Sequence, residues 1–375
     1  MTSTAGLRVR AASSVDRAAV DAFVARRPEA DMLQLWAWGD AFAVVGERPE
    51  RLVAERDGGV VGTAQVLVRP SAMGRSVLYA PHGPVWDRDA ADADAILAAL
   101  LGAIRELAKS AHGVVVKVDP RARFVGDDPE ATTSDAGTVG NALRAAGLRP
   151  ARLDLQARTT RILTVSADEA ARVAGWKKEA RNRWRRASRE GTTTGVLRAA
   201  DSVALDAFYG MLSATATMHG FHIRPRAFYD RLAAGLAEGG HLRLALATWS
   251  GRPIAVRFVA TLGDRAFSLY RATERDVPRE TYGHHALMGG LLEALAADGI
   301  RSMDMWGVAE PGDPNADPSW AAFSEFKLQF GGRPLAHPGA FDLVVDPLWY
   351  AIREARERLG GGRRPGAASG EAGEG

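Results

Sequence analysis

Leu242-Arg-Leu-Ala-Leu-Ala-Thr248, then Trp249-Ser250-Gly251, then Ile254-Ala-Val-Arg-Phe-Val-Ala-Thr261 is the stretch that decides the fold. Two apolar, strand-length runs flank a tight-turn signal, so it reads as a β-hairpin. Ala266-Phe-Ser-Leu-Tyr270 reads as a third strand. A helix from about His285 to Asp298 then precedes the strand Arg301-Ser-Met-Asp304-Met-Trp306. The first half of the chain has the same grammar. Arg51 to Arg56 is a strand, Asp57-Gly58-Gly59 a turn, Val60 to Arg69 a second strand and Ser76 to Tyr79 a third. An amphipathic helix from Ala90 to Lys109, with Asp89 placed to N-cap it, leads to the buried strand Val114 to Val118 and on to Asp119-Pro120. Turn 57–58 matches turn 250–251 and strand 114–119 matches strand 300–305 at nearly equal offsets, which implies duplication of one α/β unit with mixed sheets.

The remaining segments fill in around these two halves. Leu7 to Arg10 reads as an opening strand, Ser14 as the N-cap of a helix to about Arg27, residues 121–140 as loop, Val139 to Gly147 as a short helix and Thr159 to Val165 as a strand. The 375 residues favour two domains. The expected layout is a first domain of 1–165 plus about 338–360, a second of 166–337, and a disordered Gly/Ala/Arg/Glu-rich tail, 361–375. Hydrophobic residues at 46% and charged residues at 25% are an ordinary soluble mix. There is no cysteine, hence no disulfide framework and no thiolate chemistry or ligation. The N-terminal residues carry no apolar h-region, and no apolar run approaches the ~18 residues of a membrane span, so a cytoplasmic protein is expected. A net charge of +3 excludes a globally basic nucleic-acid binder and leaves room for a local patch.

Such a patch lies between the halves. In Trp176 to Glu190, Trp176, Ala180, Trp184 and Ala187 share one helical face, and Lys177, Lys178, Arg181, Arg183, Arg185, Arg186 and Arg189 cover the rest. Charge runs are commonly solvated faces; this positive excess over fixed tryptophans favours a polyanion: the phosphates of RNA, of a nucleotide-sugar or of an anionic membrane surface. A second singular stretch is Trp320-Ala-Ala-Phe323-Ser-Glu-Phe326-Lys327-Leu-Gln-Phe330-Gly331-Gly332. Phe323, Phe326 and Phe330 form a helical stripe, the glycines suit a left-handed helix end, and Lys327 sits in the last turn. There it either complements the helix dipole or presents a fixed, partly desolvated charge.

The order strand, strand, strand, helix, strand is the pattern of a GNAT-type acyltransferase, but neither half carries the Arg/Gln-x-x-Gly-x-Gly/Ala loop that holds acyl-CoA in ordinary GNAT enzymes. The ordered set Gln34…Trp38-Gly39, Tyr79-Ala-Pro-His-Gly-Pro84-Val-Trp-Asp87, Lys117-Val-Asp119-Pro120, the basic run, His219-Gly220…Arg224-Pro, Leu269-Tyr270-Arg, Asp304-Met-Trp-Gly307 and Phe326-Lys327-Leu-Gln-Phe-Gly-Gly332 resembles the Fem family (FemABX) across about residues 30–345. These are aminoacyl-tRNA-dependent peptidyltransferases that build peptidoglycan interpeptide bridges. The resemblance implies two tandem GNAT-like domains facing across a cleft, without a coiled-coil arm, in the FemX-like type. It also implies aminolysis of an aminoacyl-tRNA ester by an amine of a lipid-linked or nucleotide-linked peptidoglycan precursor, with no metal or redox cofactor.

By that resemblance Lys327 sits where ester and oxyanion meet, Arg224 grips precursor phosphates and Tyr270 lies at the cleft. Asp119 is a candidate to orient or deprotonate the attacking ammonium. Trp38, Phe228 and Tyr229 are substrate-side candidates; Phe228 stands where some relatives have a tyrosine, and Asp40 follows Trp38-Gly39 where relatives often carry lysine. Each has a plainer structural role too: Tyr270 as core edge, Asp119 as a turn residue before Pro120, Asp304 as a sheet brace. Two further readings stand beside transfer to a wall precursor: the same donor with a non-wall peptide or amine acceptor, or a non-catalytic RNA- or membrane-surface-binding protein. The histidines form no ligand spacing, and nucleophile-elbow, phosphate-loop and dinucleotide fingerprints are absent.

Overall fold

The computed structural model describes residues 6–124, 129–310 and 321–359. They form two compact units, one of residues to 158 together with those from 336, the other of residues 159–335. The expected tail 361–375 and Trp320 lie outside the described residues, as does the side chain of Phe323.

The first unit begins with β1 (Arg8–Ala11), β2 (Arg48–Arg56), β3 (Gly59–Pro70), β4 (Ser76–Ala80), β5 (Val85–Trp86), β6 (Gly113–Val118) and β7 (Arg149–Pro150). The β2/β3 turn is built as its residues ask: Asp57 and Gly58 both take positive φ, 49° and 78°. The helix Ala93–Ser110 buries Ile96, Leu97, Leu100, Leu101 and Ile104 against the sheet. It starts later than Asp89, which is drawn away into ion pairs with Arg27 and Arg123, both at 2.7 Å. The loop expected over 121–140 is also corrected, because a helix spans Pro129–Ala145. Its Thr/Ser/Gly-rich first half is a weak helix former, and burial of Val139 and Leu143, one turn apart, supplies what propensity lacks.

The second unit holds β8 (Thr159–Thr164), β9 (Thr193–Leu197), β10 (Leu242–Trp249), β11 (Arg252–Leu262), β12 (Arg265–Thr273), β13 (Ser302–Gly307) and β14 (Arg333–Ala336). Its hairpin turn repeats the first, with Ser250 and Gly251 at φ 49° and 77°. One sheet face is covered by the helix Gly283–Ala297, whose Leu287, Leu291, Leu292 and Leu295 join Trp176 and Phe330 in one core. The helices Ser202–His219 and Arg226–Glu238 add a further buried aromatic cluster.

The chain then returns to the first unit as β15 (Phe341–Val344), and the two sheets read β1-β2-β3-β4-β6-β15-β7, with β5 on β3, and β14-β8-β13-β12-β11-β10-β9. Each is a mixed sheet: an antiparallel meander, one parallel pair (β4/β6, β12/β13), then an antiparallel strand. The architecture is therefore two tandem α/β units with mixed sheets. The slot beside each parallel pair is filled by chain from elsewhere. β8 directly follows the first unit's β7, yet pairs with β13 in the second sheet; β15 takes the corresponding slot in the first. The expected boundary at 165/166 accordingly moves to 158/159. Periodicity identifies 159–164 as a strand and says nothing about which sheet it joins. Among the described residues no helix exceeds 18 residues.

Candidate functional site

The parallel pair of the second unit is where the candidate chemistry gathers. β12 and β13 pair only at Arg265–Phe267 with Ser302–Asp304, after which the ladder stops. On its other side β13 carries a bulge against β8 between Asp304 and Gly307. Trp306 sits in the bulge at φ 64°, a conformation costly for a bulky residue, and is held there because the Asp304 carboxylate accepts its N–H at 2.7 Å. Asp304 thus braces the sheet. Just beyond, the Lys327 ammonium donates to the Gly307 carbonyl oxygen at 2.8 Å.

Lys327 is the last-turn lysine of the helix Ala321–Leu328, and its side chain is 1% exposed. The neighbouring Phe326 and Phe330 pack edge-on against each other with centroids 5.0 Å apart, and Phe330 also meets Trp176 at 4.8 Å. Gly331 and Gly332 take φ 74° and 81°, as their place after the helix asks. A Cβ there would meet the carbonyl oxygens of Gly175 and Ile162 at 2.5 Å. Arg161 fixes this corner by donating to the carbonyls of Gly331 and Gly332, at 2.6 and 3.1 Å. The result is a buried lysine held on a backbone carbonyl beyond an interrupted ladder.

Arg224, Phe228, Tyr229 and Tyr270 are brought together elsewhere in the same unit. The half-buried Arg224 guanidinium lies 4.7 Å from the Phe228 ring centroid. Tyr229 packs against Phe208, Phe228 and Tyr270 at 5.4, 5.4 and 5.2 Å. Burial raises its phenol to about 12, against the opposing pull of Arg224. Phe228, Tyr229 and Tyr270 are all enclosed, so they form the wall behind Arg224.

Trp38 and Asp119 belong to the first unit. Trp38 is buried in the helix Trp36–Val44 against Phe42, so it packs the core of its own unit. Asp119 accepts the Tyr79 hydroxyl at 2.8 Å and the His82 backbone N–H at 2.6 Å. Gln156 extends the chain by donating to Tyr79 at 3.0 Å. Next to this network, and not foreseen from sequence, the buried Asp31 carboxylate pairs with His82 and with Arg121, the latter at 2.9 Å. Burial alone would raise Asp31, but His82 and Arg121 outweigh it and hold the carboxyl near 2. His337 accepts the Ala122 N–H at 3.2 Å, and burial beside Arg121 and His82 keeps it well below the ordinary histidine range. These residues are scattered along the sequence, so no spacing rule could have found them.

The basic run forms the helix Lys178–Arg189, seated through the buried Trp176, Ala180 and Ala187. Trp184 fills the space above Gly289, where a Cβ would lie 2.0 Å from its indole nitrogen. The cations divide into two groups. Arg181 turns inward onto the Trp176 carbonyl, while Arg183, Arg186 and Arg185 have Glu179, Glu190 and Glu169 within ion-pair reach. Lys177, Lys178 and Arg189 are exposed, and their side chains meet no carboxylate among the described residues. A second missed group has a legible signal, one charge inside an apolar run. Arg257 is opposite Arg271 across β11/β12 and donates to the Ser268 hydroxyl at 2.6 Å. Burial, then Arg271 and Arg257, depress the nearby His284 well below its ordinary value.

A model of the acetyltransferase (GNAT) domain matches residues 177–315. The lipid II:glycine glycyltransferase of Staphylococcus aureus is 28% identical over 235 residues, covering 60% of this chain and 52% of that protein. The chain thus spans about half the length of this relative. Among solved structures, FemX superposes with a TM-score of 0.76 at 18% identity, over 92% of this chain and 100% of its own. The C-terminal domain of a putative lysylphosphatidylglycerol synthetase from Agrobacterium fabrum gives a TM-score of 0.56 at 15% identity, over 94% and 98%. The two tandem units therefore have the GNAT-like fold that FemX also has, and in sequence the chain is similar to the S. aureus lipid II:glycine glycyltransferase.

Proposed function

We propose that the chain is an aminoacyltransferase that joins an amino acid carried by aminoacyl-tRNA to an amine of a peptidoglycan precursor, forming an interpeptide bridge. The single observation that carries this reading is Lys327, a buried ammonium fixed at 2.8 Å on the Gly307 carbonyl where the β12/β13 ladder stops. The name of the S. aureus relative supplies the acceptor class, a lipid-linked precursor. The neutral acceptor amine attacks the ester carbonyl carbon, and the carbonyl electron pair becomes an oxyanion beside the Lys327 charge. Collapse breaks the ester C–O bond, the proton lost by the attacking nitrogen goes to the departing tRNA hydroxyl, and an amide remains. A charge fixed before reaction stabilises the oxyanion without reorganisation, and positioning both substrates supplies the rest.

Arg224, backed by its aromatic wall, is the proposed phosphate grip on the precursor. Tyr270 stands in that wall. Asp119, held by Tyr79 and His82, is the proposed orienting carboxylate for the acceptor. Lys177, Lys178, Arg185 and Arg186 offer the tRNA backbone its countercharge. Action at the inner face of a membrane fits a lipid-linked acceptor; among the described residues no helix is long and apolar enough to cross one. The test is a transfer assay with pooled labelled aminoacyl-tRNAs and lipid-linked precursor, nucleotide-linked precursor or no acceptor, read by mass spectrometry. A precursor heavier by one amino acid, with the gain lost in Lys327→Met, is the expected result. Ester consumption without muropeptide gain points to a non-wall acceptor, and no consumption with any tRNA overturns the transferase reading.

A further inference from the structure

Eight large apolar side chains are exposed among the described residues; two of them share one face of a single helix, and a third lies on a turn whose neighbouring residues line the same cavity as that helix. Leu348 and Ile352, 69% and 37% exposed, lie one turn apart on the helix Pro347–Leu359, and Met73, 74% exposed, sits on the turn Ala72–Gly74. The helix is tied to the first unit's sheet by Tyr350 and Trp349, against Val77, Val114, Val115 and Val344. Between turn and helix lies a cavity of about 130 Å³ lined by Arg75, Val77, Trp349, Ile352, Arg353 and Arg356, among others. Arg75 lies 5.0 Å from the Trp349 ring centroid.

We infer that this face is where the protein rests on a bilayer carrying anionic phospholipid. Leu348, Ile352 and Arg356 follow at i, i+4 and i+8, so the exposed face opposite the sheet contact carries two apolar side chains and then an arginine, as an interfacial helix does. Its charges suit phosphate headgroups. Arg75, Arg353 and Arg358 have Asp346, Glu357 and Glu354 within ion-pair reach, and Arg356 has no carboxylate partner among the described residues. Area also separates the possible occupants. Two exposed apolar side chains on one helix and a third on a nearby turn are far from the roughly 800 Å² per partner of a stable protein–protein interface, whereas a few apolar side chains plus headgroup attraction suffice for reversible lipid binding. The inference rests on the proposed function only for the reason that a bilayer is close, the lipid-linked acceptor, and it leaves the basic helix to the RNA.

The experiment is sedimentation of the full chain with vesicles of phosphatidylcholine alone or mixed with phosphatidylglycerol. The protein is expected to sediment with the mixed vesicles, less so at high salt, and L348D/I352D to weaken this about tenfold or more. Asp at 348 falls in the first helical turn, where a carboxylate suits the dipole, and circular dichroism checks that the variant folds. That variant keeps wild-type turnover on a soluble nucleotide-linked acceptor. No sedimentation of the wild type overturns the inference. So does wild-type sedimentation of L348D/I352D, or a loss caused instead by K178E/R185E/R189E. Transfer measured without vesicles reports on the proposed function separately.

Discussion

The two units share one sheet grammar and differ at its centre. In the first, β4 and β6 pair from Ser76/Gly113 to Ala80/Val118, and the polar groups at their ends are tied to one another. Lys117 pairs with Asp342 at 2.8 Å, Asp342 accepts the Tyr350 hydroxyl at 2.9 Å, and Asp119 accepts from Tyr79 and His82. In the second, β12 and β13 part after three residue pairs, and a lysine on a backbone carbonyl stands where the ladder would continue. The closed pair spends its charges on holding the fold; the open pair leaves interrupted backbone and a fixed cation for something else to use. The duplicated half that looks more ordinary should therefore be the more sensitive in stability, and the interrupted half the more sensitive in activity.

The largest test of that contrast is Lys117→Met. It strands the buried Asp342 carboxylate and is expected to cost about 3–5 kcal/mol in urea unfolding, largely restored by adding Asp342→Leu. A double variant no more stable than the single one breaks the comparison. Lys327→Met is the counterpart in the open pair. Transfer is expected to fall at least about 10²-fold, while unfolding loses only about 1–3 kcal/mol from the unsatisfied Gly307 carbonyl. Gly332→Ala, which forces a Cβ toward the Ile162 carbonyl at φ 81°, should cost about 2 kcal/mol in the second unit, read by hydrogen exchange of β8 and β13.

Acid gives the finest discrimination. His337 in the first unit and His284 in the second are both neutral when folded, because burial and neighbouring arginines depress them. Protonation then favours the unfolded chain, so both units lose stability as pH falls below about 6.5. Asp31, lowered from 3.8 to about 2, adds a loss on the order of 2 kcal/mol between about pH 4 and 2, and only in the first unit. Hydrogen exchange of β6 and β13 across this range checks it, and His284→Phe should flatten the upper part for β13 alone.

What was legible follows from what is local. Asp57-Gly58 and Ser250-Gly251 announce their hairpins, because left-handed turn residues are a two-position signal and both pairs take positive φ. The Phe326-Lys327-Leu-Gln-Phe-Gly-Gly332 stretch announced its helix end for the same reason. The helix Pro129–Ala145 was not legible, since tertiary burial of Val139 and Leu143 overrides weak propensity. Phe228, Tyr229 and Trp38 stand at motif positions, yet motif position does not distinguish a wall from a contact surface, and all three are enclosed. The Asp31–His82–Arg121 group depends on partners 51 and 90 residues apart, beyond any periodic pattern.

The exchange of β8 and β15 has a consequence for a chain growing from its N-terminus. When β7 leaves the ribosome, the strand that follows it belongs to the other sheet, so the slot beside β6 stays empty and β7 has no neighbour. Phe341 and Leu343, which complete the first core, arrive only after the whole of residues 159–335. Vectorial synthesis normally lets the N-terminal domain fold first. Here the later-made unit is the one that can close its sheet first, and the first-made unit must wait, with an unpaired strand edge, for the last segment to come home.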